Sequence, residues 1–473
     1  MRIIMLGLCT VLGVLSCSGV GAMVSTQDDQ SSVHLTVYNM GRGLVKDTRH
    51  LTIPSGQGEL RFMDVAAQIM PQTVHVKSLT SPDKLRVLEQ NYEYDLINRA
   101  RLLDKYVGQK IKLFNWNQYQ DKKETVEATL ISNNDGEVYD INGEIYLGHP
   151  GYGVLPSLPE NLIAKPTLTW LFDNAEVGPQ QVEVAYMTNG VSWNADYVLV
   201  VNKEDTAGDL AGWVTVDNKS GATYKDAQLK LVAGKVNVEQ SRMKNVMYEM
   251  QDSLALAGNA SSFKEEGLFE YHLYDLQRKT TIKDKQTKQI SLLDATGVPL
   301  EKVFIVSDNN MNYYWSQNQS DRKVPVNVEI MFKNSEDRHL GMPLPEGTVR
   351  LYKEDNSGGQ QFIGEDRIDH TPKDEQVKLK VGEAFDIVAQ KKQMSFRNTS
   401  NRTAETSWEV SLRNHKKEDV VVQVQEAFMG MTDWQVTTSS MEFKKKDAQT
   451  LTFDVTVPKD GEVVLSYTIE VTR

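Results

Sequence analysis

The sequence predicts a mostly β protein built from several sheets, and three observations carry that reading. From Tyr186 to Gly234 the chain is dominated by β-branched and aromatic residues that alternate with polar ones, broken at Asn189-Gly190 and at Asn218-Lys219-Ser220-Gly221. From Val324 to Arg473, short alternating runs recur between Gly, Pro, Asn and Asp turns, the rhythm of an immunoglobulin-like β-sandwich. The same alternation appears near the start, in His34–Tyr38, Thr48–Ile53, Gln57–Phe62 and Thr73–Ser78, which reads as a small N-terminal sheet.

Taken in order, residues 1–22 read as a signal peptide. Arg2 is a short basic start, Ile3 to Leu15 is an apolar run too short to span a bilayer comfortably, and Val20-Gly21-Ala22 offers small residues for cleavage. A second reading makes Val14-Leu15-Ser16-Cys17 a lipobox, with Cys17 as a lipidation site. Both cysteines, Cys9 and Cys17, lie in this segment, so cleavage after Ala22 leaves no disulfide, thiol nucleophile or zinc ribbon. Export to the periplasm or cell envelope is the expected localisation. The formal charge of −12 excludes nucleic acid as a natural partner, because phosphates require basic patches. No second long apolar run follows, so no transmembrane span is expected in the mature chain.

Residues 31–83 form the N-terminal β unit, and residues 84–148 are read as a helix plus a small SH3-like or Sm-like barrel. Leu85, Leu88, Tyr92, Leu96 and Leu103 fall mostly at three- or four-residue spacing, which predicts one amphipathic helix from Lys84 to Tyr106. Residues 149–166 carry Pro150, Pro156, Pro159 and Pro166 and read as a linker. Residues 167–310 are expected to form a central antiparallel sheet, with a helical or flexible insertion near 236–267 and a Met stripe at Met243, Met247 and Met250. In the central sheet the two breaks read as hairpin turns, and Trp193 and Trp213 as core anchors. Residues 324–473 complete the C-terminal sandwich.

Two strings in the central region are distinctive: Tyr186-Met-Thr-Asn-Gly-Val-Ser-Trp193-Asn-Ala-Asp196-Tyr197, and Trp213-Val-Thr-Val-Asp-Asn-Lys-Ser-Gly-Ala-Thr-Tyr224 continuing to Gly234. With Glu270–Leu276 and Thr287–Leu293, they resemble the hallmark of the domain of unknown function 4139 family, over roughly Lys165 to Arg473. The mucoidy-inhibitor-like proteins of bacterial envelopes belong to that family, although the coiled coil associated with that type is missing here. The resemblance implies a class and a compartment, and no catalytic or ligand residue.

A search for chemistry finds no H-E-x-x-H, no G-x-S-x-G, no phosphate loop and no dinucleotide fingerprint. The eight histidines stand singly, so neither a metal nor another cofactor is expected. Asp308-Asn309-Asn310-Met311-Asn312 only faintly resembles a calcium loop, since Tyr313 stands where glycine turns the chain. Tyr313, Tyr314 and Trp315 beside these asparagines are the candidate binding surface, because rigid aromatic faces next to amides suit sugars and proteins. The expected function is a non-catalytic binding or structural module whose partner is an envelope protein or glycan. The rival class is a hydrolase of envelope polysaccharide using loop carboxylates, with Glu365, Asp366, Asp369 and His370 as the obvious cluster. The mature chain is predicted to begin near Met23 and to carry no thiol, which N-terminal sequencing and thiol labelling check. A diacylated Cys17 at the N-terminus would replace simple cleavage with a lipoprotein.

Overall fold

The computed structural model describes residues 22–117, 122–159, 162–234, 236, 263–308, 313, 322–428, 430–431 and 433–472. Among the described residues the chain is mostly β: strands make up 65% and helical residues 4%, with one α-helix and no closed barrel. An eight-stranded sheet runs in the order Phe263–Leu268, Tyr271–Leu276, Tyr224–Ala233, Gln30–Tyr38, Arg42–Ile53, Gly178–Asn189 and His75–Ser78, with Thr280–Ile282 also paired to 224–233. Facing it is a five-stranded sheet, here called the central sheet, in the order Gln286–Pro299, Ala207–Asn218, Val191–Val201, Gly347–Glu354 and Gln360–Ile368. The 191–201 and 347–354 strands run parallel, and the other pairs of this sheet are antiparallel. The run Val349–Tyr352, read from sequence with the C-terminal set, therefore lies in the central sheet. The N-terminal strands do not stand apart either, since 30–38 pairs with 224–233 and 42–53 with 178–189.

Alternation explains how the two sheets meet. Val191, Trp193, Ala195, Tyr197, Leu199 and Val201 point inward from one strand, and Leu210, Val214 and Val216 from its neighbour. They join Leu35, Val37, Val45, Tyr186, Leu229 and Leu231 of the eight-stranded sheet in one core. Trp193 sits deep in it, and its indole Nε1 donates to Val232 O across the layer at 3.2 Å. Trp213 does not: it is 41% exposed, on the opposite face from Val214 and Val216. The period of two places it with Thr215 and Asp217 on the mixed face, and size alone does not turn a side chain inward.

The two breaks are not hairpin turns. Asn189-Gly190 carries the chain from the eight-stranded sheet into the central sheet, and 219–223 carries it back. The hairpin turn is the intervening polar segment 202–206, where Asn202 Oδ1 accepts the Thr206 and Ala207 amides at 2.9 and 3.2 Å. The positive φ inferred at Gly190 is present at 78°, but a positive φ reverses or deflects a chain without saying which sheet it enters next. Both crossings meet at one corner, with Lys219 N donating to Gly190 O at 2.6 Å and Gln68 N to Ser220 O at 3.1 Å. A Cβ on Gly221, at φ 84°, would lie 2.4 Å from the Ala67 methyl. No larger residue fits there.

Sheet crossings leave carbonyls without ladder partners, and the chain satisfies them by one repeated device. Asn218 is fully buried; its Nδ2 donates to Ala222 O and Lys283 O at 2.9 and 3.0 Å, and its Oδ1 accepts from Ser220 N and Oγ at 3.1 and 2.8 Å. Asn334 does the same for Met342 O and Pro372 O, both at 2.9 Å, while accepting Gly341 N at 3.0 Å. Asn414 donates to Glu418 O and Pro458 O at 2.8 and 3.1 Å and accepts Lys416 N at 2.9 Å. Asn174 donates to Ile53 O, Pro54 O and Glu176 O. Each asparagine ends a strand or directly follows one. A short neutral amide supplies donors and an acceptor at once; aspartate lacks the donors.

A four-stranded sheet, Met23–Ser25, Gly56–Met63, Thr167–Asn174 and Leu85–Glu93, adds Leu60, Phe62, Leu168, Trp170 and Phe172 to the same core. Fully buried Arg49 ties it to the larger sheet. Its guanidinium pairs with Asp47 Oδ2 at 2.8 Å, donates to Met63 O at 2.8 Å, and lies 3.5 Å from the Phe62 ring centroid. The long helix expected over 84–106 is absent. Residues 85–93 form a strand against 167–174, with Gln90 Oε1 accepting Trp170 Nε1 at 2.9 Å, and only Arg99–Tyr106 is helical. Tertiary pairing overrode a spacing that occurs in strands too. The helix, capped by Asn98 Oδ1 on Arg101 N at 2.9 Å, packs Leu103 and Tyr106 onto a five-stranded sheet from 110–154. That sheet is open, its end strands Glu144–Leu147 and Tyr152–Val154 lying at opposite edges, so the barrel reading gives way to a capped sheet. Tyr152–Val154 lies within the expected linker.

The C-terminal sandwich packs a six-stranded sheet (Gln376–Glu383, Val326–Lys333, Glu301–Ser307, Val420–Ala427, Thr450–Val457, Lys444–Lys445) on a five-stranded one (Arg322–Val324, Ile387–Asn398, Thr403–Asn414, Glu462–Thr472, Asp433–Ser439). Its own core centres on Trp408, Phe428, Phe453 and Tyr467, while Ile330, Phe332, Val377 and Leu379 of its six-stranded sheet join the larger core. The Met stripe at 243–250 lies outside the described residues.

Two outcomes follow for stability. Trp193→Ala is expected to cost about 3–5 kcal/mol and Trp213→Ala less than about 1 kcal/mol, read by chemical denaturation. Asn218→Asp, which points a carboxylate at carbonyls, is expected to lower the melting temperature more than Asn194→Asp on the exposed face.

Candidate functional site

Of the sequence-derived candidate surface, Tyr313 alone is described, and it is buried. Tyr313 is 1% exposed and belongs to the C-terminal core, 4.9 Å from the Phe428 ring and 5.7 Å from Trp408. Tyr314 and Trp315, like Cys17 and Asn309 to Asn312, lie outside the described residues. Tyr313 is instead one member of a buried polar cluster. Glu426 accepts the Tyr467 hydroxyl at 2.6 Å, the Tyr313 hydroxyl, and the Lys391 ammonium at 2.5 Å. Lys391 also lies 4.9 Å from the Trp408 ring. Burial first, and then the Glu426 charge, pushes both phenols well above their usual 10. Lys391 and Glu426 are 2% and 1% exposed, so neither reaches a ligand in solution. The cluster joins the two layers of the sandwich.

Exposure and polarity point elsewhere, to the outer face of the central sheet. Strand register aligns its side chains in rows. Ser291, Trp213, Asp196, Thr348 and Arg367 form one row; Asp294, Ala211, Val198, Arg350 and Glu365 form the next; Asp209, Val200, Tyr352 and Phe362 a third. Gln289, Thr215 and Asn194 lie on the far side of the Trp213 row. Arg350 bridges Asp196 at 3.1 Å and Glu365 at 3.4 Å, and Asp196 Oδ2 also accepts Thr215 Oγ1 at 2.9 Å and Asn194 Nδ2 at 2.8 Å. One arginine is thus shared between two carboxylates at the centre of the face, which keeps a net negative charge. Aromatic surface brackets this polar centre, with Trp213 on one side and Tyr352 and Phe362, rings 5.7 Å apart, on the other. Phe362 is 56% exposed.

One end of the face drops into a cleft of about 250 Å³ between the central sheet and the Asn39 turn. Its walls are Asn39, Asn194, Thr348, Glu346, Arg367 and His370. Two buried tyrosines position its floor: the Tyr197 hydroxyl donates to Pro345 O at 2.8 Å and the Tyr274 hydroxyl to Pro343 O at 3.0 Å. They fix the segment that presents Glu346. The Glu346 amide donates to His370 Nδ1 at 3.0 Å, and its carboxylate meets Asn39 Nδ2 at 3.4 Å and Arg367 Nη2 at 3.7 Å.

The acidic cluster singled out from sequence is divided. Asp366 accepts the Arg367 and Lys380 amides at 2.8 and 2.7 Å, Glu365 pairs with Arg350, and His370 turns toward Glu346. Among the described residues no group of three or more His, Cys, Asp or Glu is gathered to hold a metal ion. No helix among them is long and apolar enough to cross a membrane.

For Trp213, Asn194 and Asp196 the sequence carries a signal, an alternating strand that puts tryptophan on its polar side. Glu346, Arg367 and Asn39 gave no local signal, since they come together only through the 191–201 and 347–354 pairing and the neighbouring turn. For the buried cluster, Lys391→Met or Glu426→Gln alone is expected to cost about 3–5 kcal/mol, because each strands a buried partner. The double variant is expected to recover much of that loss in a denaturation series. No curated protein matches the chain. A family model described as domain of unknown function (DUF4139) matches residues 182–472, from the strand that enters the central sheet to the end of the C-terminal sandwich, and the chain belongs to that family.

Proposed function

We propose that this protein is exported to the bacterial cell envelope and acts there as a non-catalytic binding module, with the outer face of the central sheet as its contact surface. One observation carries the reading. Trp213, within the family's matched region, is aimed at solvent on a strand whose alternate residues are buried, and it stands beside the linked Asp196–Arg350–Glu365 ion pairs. An exposed tryptophan on a rigid sheet is a low-entropy anchor for a partner. The apolar run and small-residue site before Met23 support export, with cleavage or a lipid on Cys17 as the two routes.

The rival hydrolase reading draws on Glu365 and Asp366. Both carboxylates already satisfy neighbours, Asp366 through two backbone amides, so they serve the sheet before any substrate. Binding without turnover is the better fit.

Trp213→Ala and Phe362→Ala are expected to lose binding to envelope fractions by tenfold or more while the melting temperature moves by only a few degrees. Unchanged binding would remove the face from consideration. Release of reducing sugar by the parent protein, abolished in Asp366→Asn, would replace the binding reading with the hydrolase one.

A further inference from the structure

We infer that the outer face of the central sheet takes a neutral, hydroxyl-rich polysaccharide, laid obliquely from Trp213 to the Tyr352–Phe362 pair. This rests on the binding reading above and commits it to one class of ligand. Four features of the face select that class. The first is spacing. Phe362 lies three strands from Trp213 and one further row pair along, which at ordinary strand separations is roughly 20 Å. That suits a short stretch of extended polymer and exceeds a single small molecule.

The second feature is the form of the apolar surface. It is two aromatic patches with the Asp196–Arg350 ion pair set beside aliphatic Val198 between them, whereas a protein partner's contact is organised around one larger apolar centre with a polar rim. Flat carbon–hydrogen faces of sugar rings stack on isolated aromatic rings, and the hydroxyls around each ring edge remain to be satisfied.

Third, the groups between and beside the patches both donate and accept. Asp196 and Arg350 lie between them, held in place by their mutual pair, and Thr348 continues the Trp213 row, while the hydroxyl and amides of Thr215, Asn194 and Gln289 border that row on its other side. A sugar hydroxyl, itself donor and acceptor, matches such a lattice at any rotation. The last feature is charge. Arg350 is shared between Asp196 and Glu365, while Asp209 and Asp294 add negative charge at the margins. Phosphate- or uronate-bearing polymers are therefore disfavoured, and a neutral chain incurs no repulsion. The adjoining cleft, with Glu346, Asn39 and Arg367 on its walls, is a natural place for a branch or chain end.

The experiment uses the full exported chain in affinity electrophoresis through gels containing either a soluble neutral β-glucan or alginate, and in calorimetric titration with oligomers of N-acetylglucosamine. Envelope fractions treated with periodate, which cleaves sugar diols, or with protease are tested alongside. The expected result is retardation by at least one neutral glycan and not by alginate. Trp213→Ala and Arg350→Ala should each weaken that binding tenfold or more. Periodate should abolish envelope binding that protease leaves intact. Binding that survives periodate and is lost to protease would overturn the glycan assignment while leaving a binding protein. Absence of retardation in every neutral glycan, or equal retardation of wild type and Trp213→Ala, would likewise overturn it.

Discussion

Buried backbone carbonyls at the places where the chain changes sheet must find donors, and the structure depends on how they do. Asn218 meets that demand at the central corner by donating to two carbonyls of different turns while its own oxygen takes Ser220. Without it, the 207–218 strand would end in unpaired polar groups inside the core, each costing about 1–3 kcal/mol. Because the corner is fixed, the 191–218 hairpin is held over the eight-stranded sheet. Every residue of the outer face is positioned by that hairpin or pairs with it directly or through one strand. Asn174, Asn334 and Asn414 repeat the solution at other strand ends.

The two cores carry their polar content differently. In the larger one, Arg49 is enclosed by Asp47, Met63 O and the Phe62 ring, and it links sheets whose strands do not pair with each other. In the C-terminal sandwich, Lys391, Glu426 and two tyrosines span the layers. Buried ion pairs of this kind contribute little net stability relative to an apolar replacement. Their effect is on geometry: one arrangement of the layers satisfies all the partners, and displaced arrangements strand a charge.

The outer face and the corner also explain why the long signature strings read as they do. Asn189-Gly190 and Asn218–Gly221 make the two crossings, Trp193 and Tyr197 fill the core, with Tyr197 also holding Pro345, and Trp213, Asn194 and Asp196 face solvent. One stretch of sequence thus encodes corner, core and surface together.

The sequence by itself determined the strand content and, strand by strand, which side chains share a face. The period of two put Val214 and Val216 inside and Trp213 outside; treating Trp213 as core set its size above its position. Local chemistry also located the positive φ at Gly190 and the turn-forming asparagines. Only the tertiary structure decided where each strand went after its turn. A glycine permits a reversal and a sheet crossing equally, so hairpin and corner look alike in sequence. Leu85 to Tyr92 had helical spacing, but a strand edge at 167–174 was there to receive it. Tyr313 read as exposed among asparagines and proved buried, because its environment is made by Trp408, Glu426 and Phe428, about 95 to 115 positions away. Contacts of that separation leave no trace in local pattern, and the cleft at Glu346, joining a turn near residue 39 to strands near 194 and 367, is built wholly from them.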